Sequence, residues 1–166
     1  MSTLSVDTIT GRAAAGTVNL PAPYIVQAKT NLIQGQTLGS GHYVYITSTS
    51  NTYSGASISI TPKVSGSTIL ISFEGRLGSS YGTYINHIWQ IFDNSGSILG
   101  DYTSSYPLFF NQRYQTGDGT GFMYHQAIDT NVTSAQTYKL YGKKGSDGNG
   151  IYLFEPVIAT AFEIAV

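Results

Sequence analysis

Alternation of apolar and polar residues with a period of two recurs along this chain, and it limits the fold more than any other feature. It runs through Tyr43–Thr47, Ala56–Thr61 and Thr68–Phe73. Successive side chains of a strand point to opposite faces, so the pattern predicts half-buried β-strands. His87–Phe92 reads as another strand, closed by the turn chemistry of Asp93-Asn-Ser-Gly96 before Ser97–Leu99 returns. Further strands are predicted at Gly121–Ile128, Gln136–Gly142 and Val157–Val166, with a loop at Lys144–Gly150. The stretch from Glu155 to Val166 is almost wholly apolar. Terminal segments stay ordered only when something ties them down, so it is expected to close the core sheet and to lie near a contact with other copies. No window carries a sustained helical period, and Ala13–Ala15 is too short to nucleate a helix.

Eight or more strands exceed the roughly seven of an immunoglobulin-like domain. The expected fold is therefore all-β, an antiparallel jelly-roll-type β-sandwich. The absence of a short internal repeat argues against a propeller or β-helix. Residues 1–22 differ in texture. Leu4, Val6 and Ile9, then Val18 and Leu20, flank the flexible Gly11–Gly16 stretch, and Pro21 and Pro23 punctuate the exit. This segment has too little apolar bulk to be self-sufficient. The sequence thus divides into an extended N-terminal attachment arm (1–22) and a knob domain (23–166).

Only 10% of the residues are charged, and eight basic side chains nearly balance nine acidic ones. An average soluble protein has roughly 25%. Neither sign clusters, which argues against a nucleic-acid partner, and neutral hydrogen-bonding side chains must supply solubility. That balance suits a protein working inside an assembly. There is no cysteine, hence no disulfide or thiolate chemistry. The first residues lack a secretory pattern, and no apolar run has the length of a membrane span.

No motif carries chemistry with the required context. His42, His87 and His125 lie far apart, without zinc-ligand spacing. Glu74, Glu155 and Glu163 fall in or beside apolar strands, and pairing with Arg76 or Lys139 explains them more simply than glycoside hydrolysis. Gly117–Gly121 is followed by no helix to hold a phosphate and reads as a loop tip. Asp147–Gly150 lacks the later glutamate of a calcium loop, and the sequon at Asn131–Thr133 has no secretory route to give it meaning. No cofactor or metal is expected. Tyrosine stands out, with 13 in the chain. Tyr81, Tyr84, Tyr102, Tyr106 and Tyr114 fall in predicted loops beside Phe109 and Phe110. Tyrosine suits wet binding surfaces, so the loops Gly78–Tyr84 and Tyr102–Gly121 are the candidate contact surface, for sugar or for protein.

Several segments look like small virion proteins of tailed phages, including marine and cyanobacterial ones. They are Ser2–Ile9, Gly16–Pro21, Ser57–Pro62, Ser67–Ser72, Ser134–Leu140 and Ala161–Ala165. The resemblance, to tail-fibre-like virion surface proteins, implies an N-terminal particle-attachment segment, a trimeric C-terminal β-domain and no catalytic residues. The arm would dock on another virion protein by strand addition, with Leu4, Val6 and Ile9 setting the register. The function expected is therefore a non-enzymatic protein of the virion surface, made in the host cytoplasm without a signal peptide. The reading is a tail fibre or receptor-binding knob, with host-surface glycan bound by avidity as an expected partner, or alternatively a capsid decoration protein. A free carbohydrate-binding module, and a glycan-degrading enzyme using Glu74 or Glu155, are the competing classes.

Overall fold

A computed structural model describes residues 23–79, 85–99, 109–112, 119–144 and 150–165. Among them are ten strands and no helix: β1 (Tyr24–Ile33), β2 (Tyr43–Ile46), β3 (Thr52–Ile60), β4 (Ser67–Ser79), β5 (Ile85–Phe92), β6 (Ile98–Leu99), β7 (Phe109–Gln112), β8 (Gly119–Val132), β9 (Gln136–Lys144) and β10 (Ile151–Ala165). They form two five-stranded sheets. Sheet A has the order β1-β10-β4-β8, with β2 also on β10. Sheet B has the order β3-β9-β5-β6, with β7 also on β5.

All pairings are antiparallel, and they nest. β5 pairs β6 and β7, β4 pairs β8, β3 pairs β9, and β1 pairs β10. A long hairpin folded over in this way, with successive pairs falling in alternate sheets, is a jelly roll. The fold expected from the sequence is therefore the one observed. β10 lies at the centre of sheet A, between β4 on one side and β1 and β2 on the other.

The inward residues of the two sheets make one core. Ile69, Ile71, Phe73 and Leu77 of β4, and Ile151, Leu153, Val157, Ala159 and Ala161 of β10, meet Ala56, Ile58, Ile60, Trp89, Ile91, Tyr138 and Leu140 from sheet B. Near-complete burial of such side chains is each worth roughly 1.5–3 kcal/mol over leaving them exposed. Two glycines serve the backbone. Gly55 takes φ +89° where the β3–β9 register shifts, and Gly96 takes φ +82° in the predicted Asp93–Gly96 turn. Positive φ is strained for residues with a Cβ.

Several boundaries differ from the sequence reading. β4 continues past Phe73 because Gly75 and Leu77 keep the inward phase while Glu74 and Arg76 take the outward one. β10 begins before Pro156. Its register shifts between Phe154 and Val157, and the bulge absorbs the proline. Phe109 and Phe110, placed in a loop by the sequence, belong to β7, whose backbone pairs with the free edge of β5. Gly119 and Gly121 open β8 rather than tip a loop, and Gly78 belongs to β4.

Candidate functional site

Sheet A is unusual on its outer face. The register places Phe122 opposite Arg76, Tyr124 opposite Glu74 and Ile128 opposite Leu70. Across β4, Arg76 faces Phe154, Glu74 faces Ile158 and Leu70 faces Phe162. β1 and β2 extend this surface, with Leu32 beside Ile158, Ile25 beside Ile164, and Tyr43 and Tyr45 beside Phe154 and Tyr152. Among the described residues, eight of the eleven exposed large hydrophobic side chains fall here: Ile25, Leu32, Tyr43, Tyr45, Phe122, Tyr124, Ile128 and Ile158. Phe122 is the extreme case, at 80% exposure. A polar row of Thr30, Thr160, Ser72 and Gln126 crosses the face and sets Ile25 and Ile128 apart from the other six. Isolated exposed apolar residues are ordinary, but six grouped on one side of that row mark an interaction surface.

The face has internal order. Tyr45 stacks on Tyr152 with centroids 4.3 Å apart, Tyr152 stacks on Phe154 at 5.7 Å, and Tyr43 meets both rings edge-on. The Arg76 guanidinium lies over the Phe154 ring, 5.0 Å from its centroid, a cation–π contact. A cleft of about 350 Å³ opens among Glu74, Arg76, Phe122, Glu155, Pro156 and Ile158.

Two of the three carboxylates that stood out in the sequence, Glu163 and Glu155, have structural partners, and these are neither Arg76 nor Lys139. Glu163 points into the core of sheet A and is fully buried. It accepts hydrogen bonds from the backbone N–H groups of Lys63 and Val64, from Ser67 Oγ at 2.8 Å and from Gln27 Nε2 at 2.6 Å. Burial works to raise its pKa, but those donors outweigh burial and hold it below the ordinary 4.5. The residue thereby fastens the β3–β4 connection to the last strand. Glu155 does the same for the β1–β2 connection, accepting from the N–H groups of Gln36 at 2.9 Å and Leu38 at 2.7 Å, with His42 Nδ1 at 3.0 Å. Desolvation again opposes ionisation, and the bonds from Leu38, Gln36 and His42 again prevail and lower the pKa. Glu74 is exposed on the outer face.

The histidines are dispersed. His42 bonds Glu155, His87 lies on β5 in sheet B, and His125 is buried on the inward side of β8. Burial lowers the His125 pKa to about 4. Among the described residues no three His, Asp or Glu side chains gather as a metal site. Tyr138, also buried, donates its hydroxyl to Asp129 Oδ2 at 2.9 Å. Its pKa is pushed up by burial first and by that carboxylate second.

The arm residues Leu4, Val6, Ile9, Val18 and Leu20 lie outside the described residues, as do Tyr81, Tyr84, Tyr102, Tyr106 and Tyr114. The contact surface inferred from loops is thus joined by one the sequence reading did not single out, made of strand residues. The signal for it was present. In Phe122–Ile128 and in Ala161–Ala165 both phases of the alternation carry apolar residues, the mark of a strand covered on both faces.

No protein-family model matches the chain, and no curated protein matches it either. Among solved structures, it is similar to the VP2 subviral particle of infectious bursal disease virus, at 12% identity and TM-score 0.45, covering 98% of this chain and 42% of that one. It is also similar to dimeric latent PorU from Porphyromonas gingivalis, at 11% identity and TM-score 0.38, covering 93% and 14%. The Gx strain of infectious bursal disease virus gives 9% identity and TM-score 0.39, covering 100% and 42%. The chain spans less than half the length of each, and no residue correspondence is carried over from them. Among the described residues no helix is long and apolar enough to cross a membrane.

Proposed function

We propose that this chain is a non-enzymatic structural protein of a tailed-phage virion surface. Residues 1–22 attach it to a neighbouring virion protein, and a homotrimer of jelly-roll knobs is displayed outward for receptor binding, as in a tail fibre. The observation that carries the reading is the apolar outer face of sheet A. Side chains of this size bury roughly 150–250 Å² each. At the exposures of the eight residues, on the order of 900 Å² is left open to solvent; the six on one side of the polar row hold roughly 600 Å² of it, at the top of the roughly 300–600 Å² range for the largest patch on a typical monomer. Such a face supports a subunit of an assembly over a free enzyme or a monomeric binding module. The commitment of Glu155 and Glu163 to loop anchoring also weighs against a pair of catalytic carboxylates.

Capsid decoration is the second reading, and β1 favours it. The strand takes Tyr24–Ile33 directly into the sandwich, leaving no length for a stalk between arm and knob. Electron microscopy of intact particles separates the two readings. Density at the tail tip with a few dozen copies or fewer supports the fibre, and hundreds of copies on the capsid support decoration. Absence from purified particles would contradict both.

A further inference from the structure

We infer that the outer face of sheet A is where copies of this chain join, each copy covering the same face of its neighbours. The inference rests on the proposal that the protein is an oligomeric surface subunit, and it names the surface that makes the oligomer.

Three observations point to a second copy rather than to another occupant. The first is size. About 900 Å² of open large-hydrophobic surface per chain is close to the roughly 800 Å² that each partner contributes to a standard stable interface. The second is charge. On the described part of this face the exposed charged side chains are Glu74 and Arg76, one of each sign, two residues apart on β4, while Glu155, which also lines the cleft, is held by Gln36, Leu38 and His42. A face with one acid and one base is compatible with itself. Neighbouring copies can set Glu74 against Arg76, while Glu155 keeps its hydrogen-bond donors within its own chain. A partner of strong net charge would find nothing here to answer it, and membrane lipid would find no basic cluster. The third is shape. Phe122, the most exposed of the large hydrophobic side chains, stands at the rim of the cleft of about 350 Å³ beside Glu74, Arg76, Pro156 and Ile158. A protruding ring next to a recess on the same face lets one copy's ring enter the next copy's cleft. Such a contact closes when the rotation between copies returns to its start.

Elsewhere among the described residues the large exposed hydrophobic side chains are Val64, in the β3–β4 connection, and Tyr53 and Ile98 on the outer face of sheet B, where Tyr53 already meets Tyr141 at 5.5 Å.

The test is the solution mass of the full chain by light scattering, for wild type, for Phe122→Asp with Ile128→Asp, and for Ser57→Asp with Ser59→Asp on sheet B. The wild type and the sheet B variant are expected to run as trimers. The sheet A variant is expected to fall to one third of that mass with an unchanged β-sheet circular dichroism spectrum. A monomeric wild type, which is also the outcome if the chain's own leading residues cover the face, would overturn the inference. So would a sheet A variant that keeps the wild-type mass. Should that variant fail to fold, the cysteine-free sequence offers a milder probe, with Gln126→Cys on sheet A and Ser59→Cys on sheet B treated with a bis-maleimide. Linked copies at position 126 alone support the interface, and equal linkage at both positions, or none at 126, removes it. Particle binding is read separately. An oligomer built through this face but missing from virions leaves the interface standing and removes the virion role. A particle-bound protein whose oligomer survives the sheet A substitutions removes the interface alone.

Discussion

The two sheets of this sandwich treat their outer faces in opposite ways. Sheet B turns Ser57, Ser59, Gln90, Thr137, Lys139 and Lys143 outward, with a hydrogen bond of 2.7 Å between Ser59 and Thr137 across strands β3 and β9. Its aromatic residues satisfy one another, Phe92 meeting Tyr141 at 4.5 Å. Sheet A does the reverse. Its outward positions include Phe122, Tyr124, Ile128, Ile158 and Leu32 beside a polar row of Thr30, Thr160, Ser72 and Gln126, while Glu163 points inward. A chain with so few charges has placed several of them where they hold the fold rather than where they meet water. One face is finished as a solvent surface, and the other leaves large apolar side chains exposed.

Substitutions inside sheet A sharpen the contrast most. Phe73→Ala, in the core directly under the outer face, is expected to cost about 4 kcal/mol in chemical denaturation. Phe122→Ala is expected to leave the stability of the isolated subunit within about 0.5 kcal/mol, because the ring touches little of its own chain. An equal loss at both positions would mean that Phe122 is packed within the subunit, and the distinction between the faces of sheet A would fail.

Glu163→Gln comes next, at about 3 kcal/mol in the same assay, since an amide cannot accept from every donor that meets the carboxylate and leaves a buried N–H group unpaired. A change below about 1 kcal/mol would show that this carboxylate does not fasten the β3–β4 connection.

Acid should act on the same sheet. The His125 pKa falls from 6.5 to about 4 in the folded chain, so between those values the unfolded chain binds the extra proton and stability declines as pH drops. The span is worth about 3 kcal/mol. Glu155 and Glu163 are held below 4.5, so their contribution is present above that value and is lost as pH falls through their lower folded pKa. His125→Gln is expected to flatten the decline between pH 6.5 and 4 and to leave the steeper loss below it. A midpoint of thermal unfolding that falls equally in the variant over that window would rule out His125 as its source.

Smallest of all are the effects on sheet B. Tyr53→Ala should lose about 1 kcal/mol of aromatic contact, and Thr137→Ala about 0.5 kcal/mol, with no change in oligomer size by gel filtration for either.

The fold was legible from the sequence wherever one face of a strand is polar. Ser57-Ile-Ser-Ile and Thr68-Ile-Leu-Ile-Ser-Phe announced β3 and β4, and Asp93–Gly96 announced its turn. β1 was not individually legible. Its inward residues Gln27, Lys29 and Asn31 are polar because they line the sandwich edge, where Gln27 and Asn31 bond Thr61 and Ser57 carbonyls, and a register shift after Ile25 breaks the alternation. Pro156 hid the first half of β10, because a proline in a central strand ordinarily argues against one. The candidate face stayed hidden for a different reason. Aromatic residues in strands read as core, and only the pairing of β8 with β4 reveals that Met123 and His125 face inward while Phe122 and Tyr124 do not. Tyrosine abundance pointed towards loops, yet Tyr43, Tyr45, Tyr124 and Tyr152 all sit on strands of one sheet.

Hydroxyl-radical footprinting of the unmodified protein across a dilution series compares the two faces in one experiment. At high concentration Phe122 and Tyr124 should be protected, although they are 80% and 55% exposed in the single chain, while Tyr53, at 40%, is labelled freely. Dilution should release the first two and leave the third unchanged. Labelling of Phe122 that exceeds that of Tyr53 at every concentration would contradict the account, because the outer face of sheet A would then stay open to water.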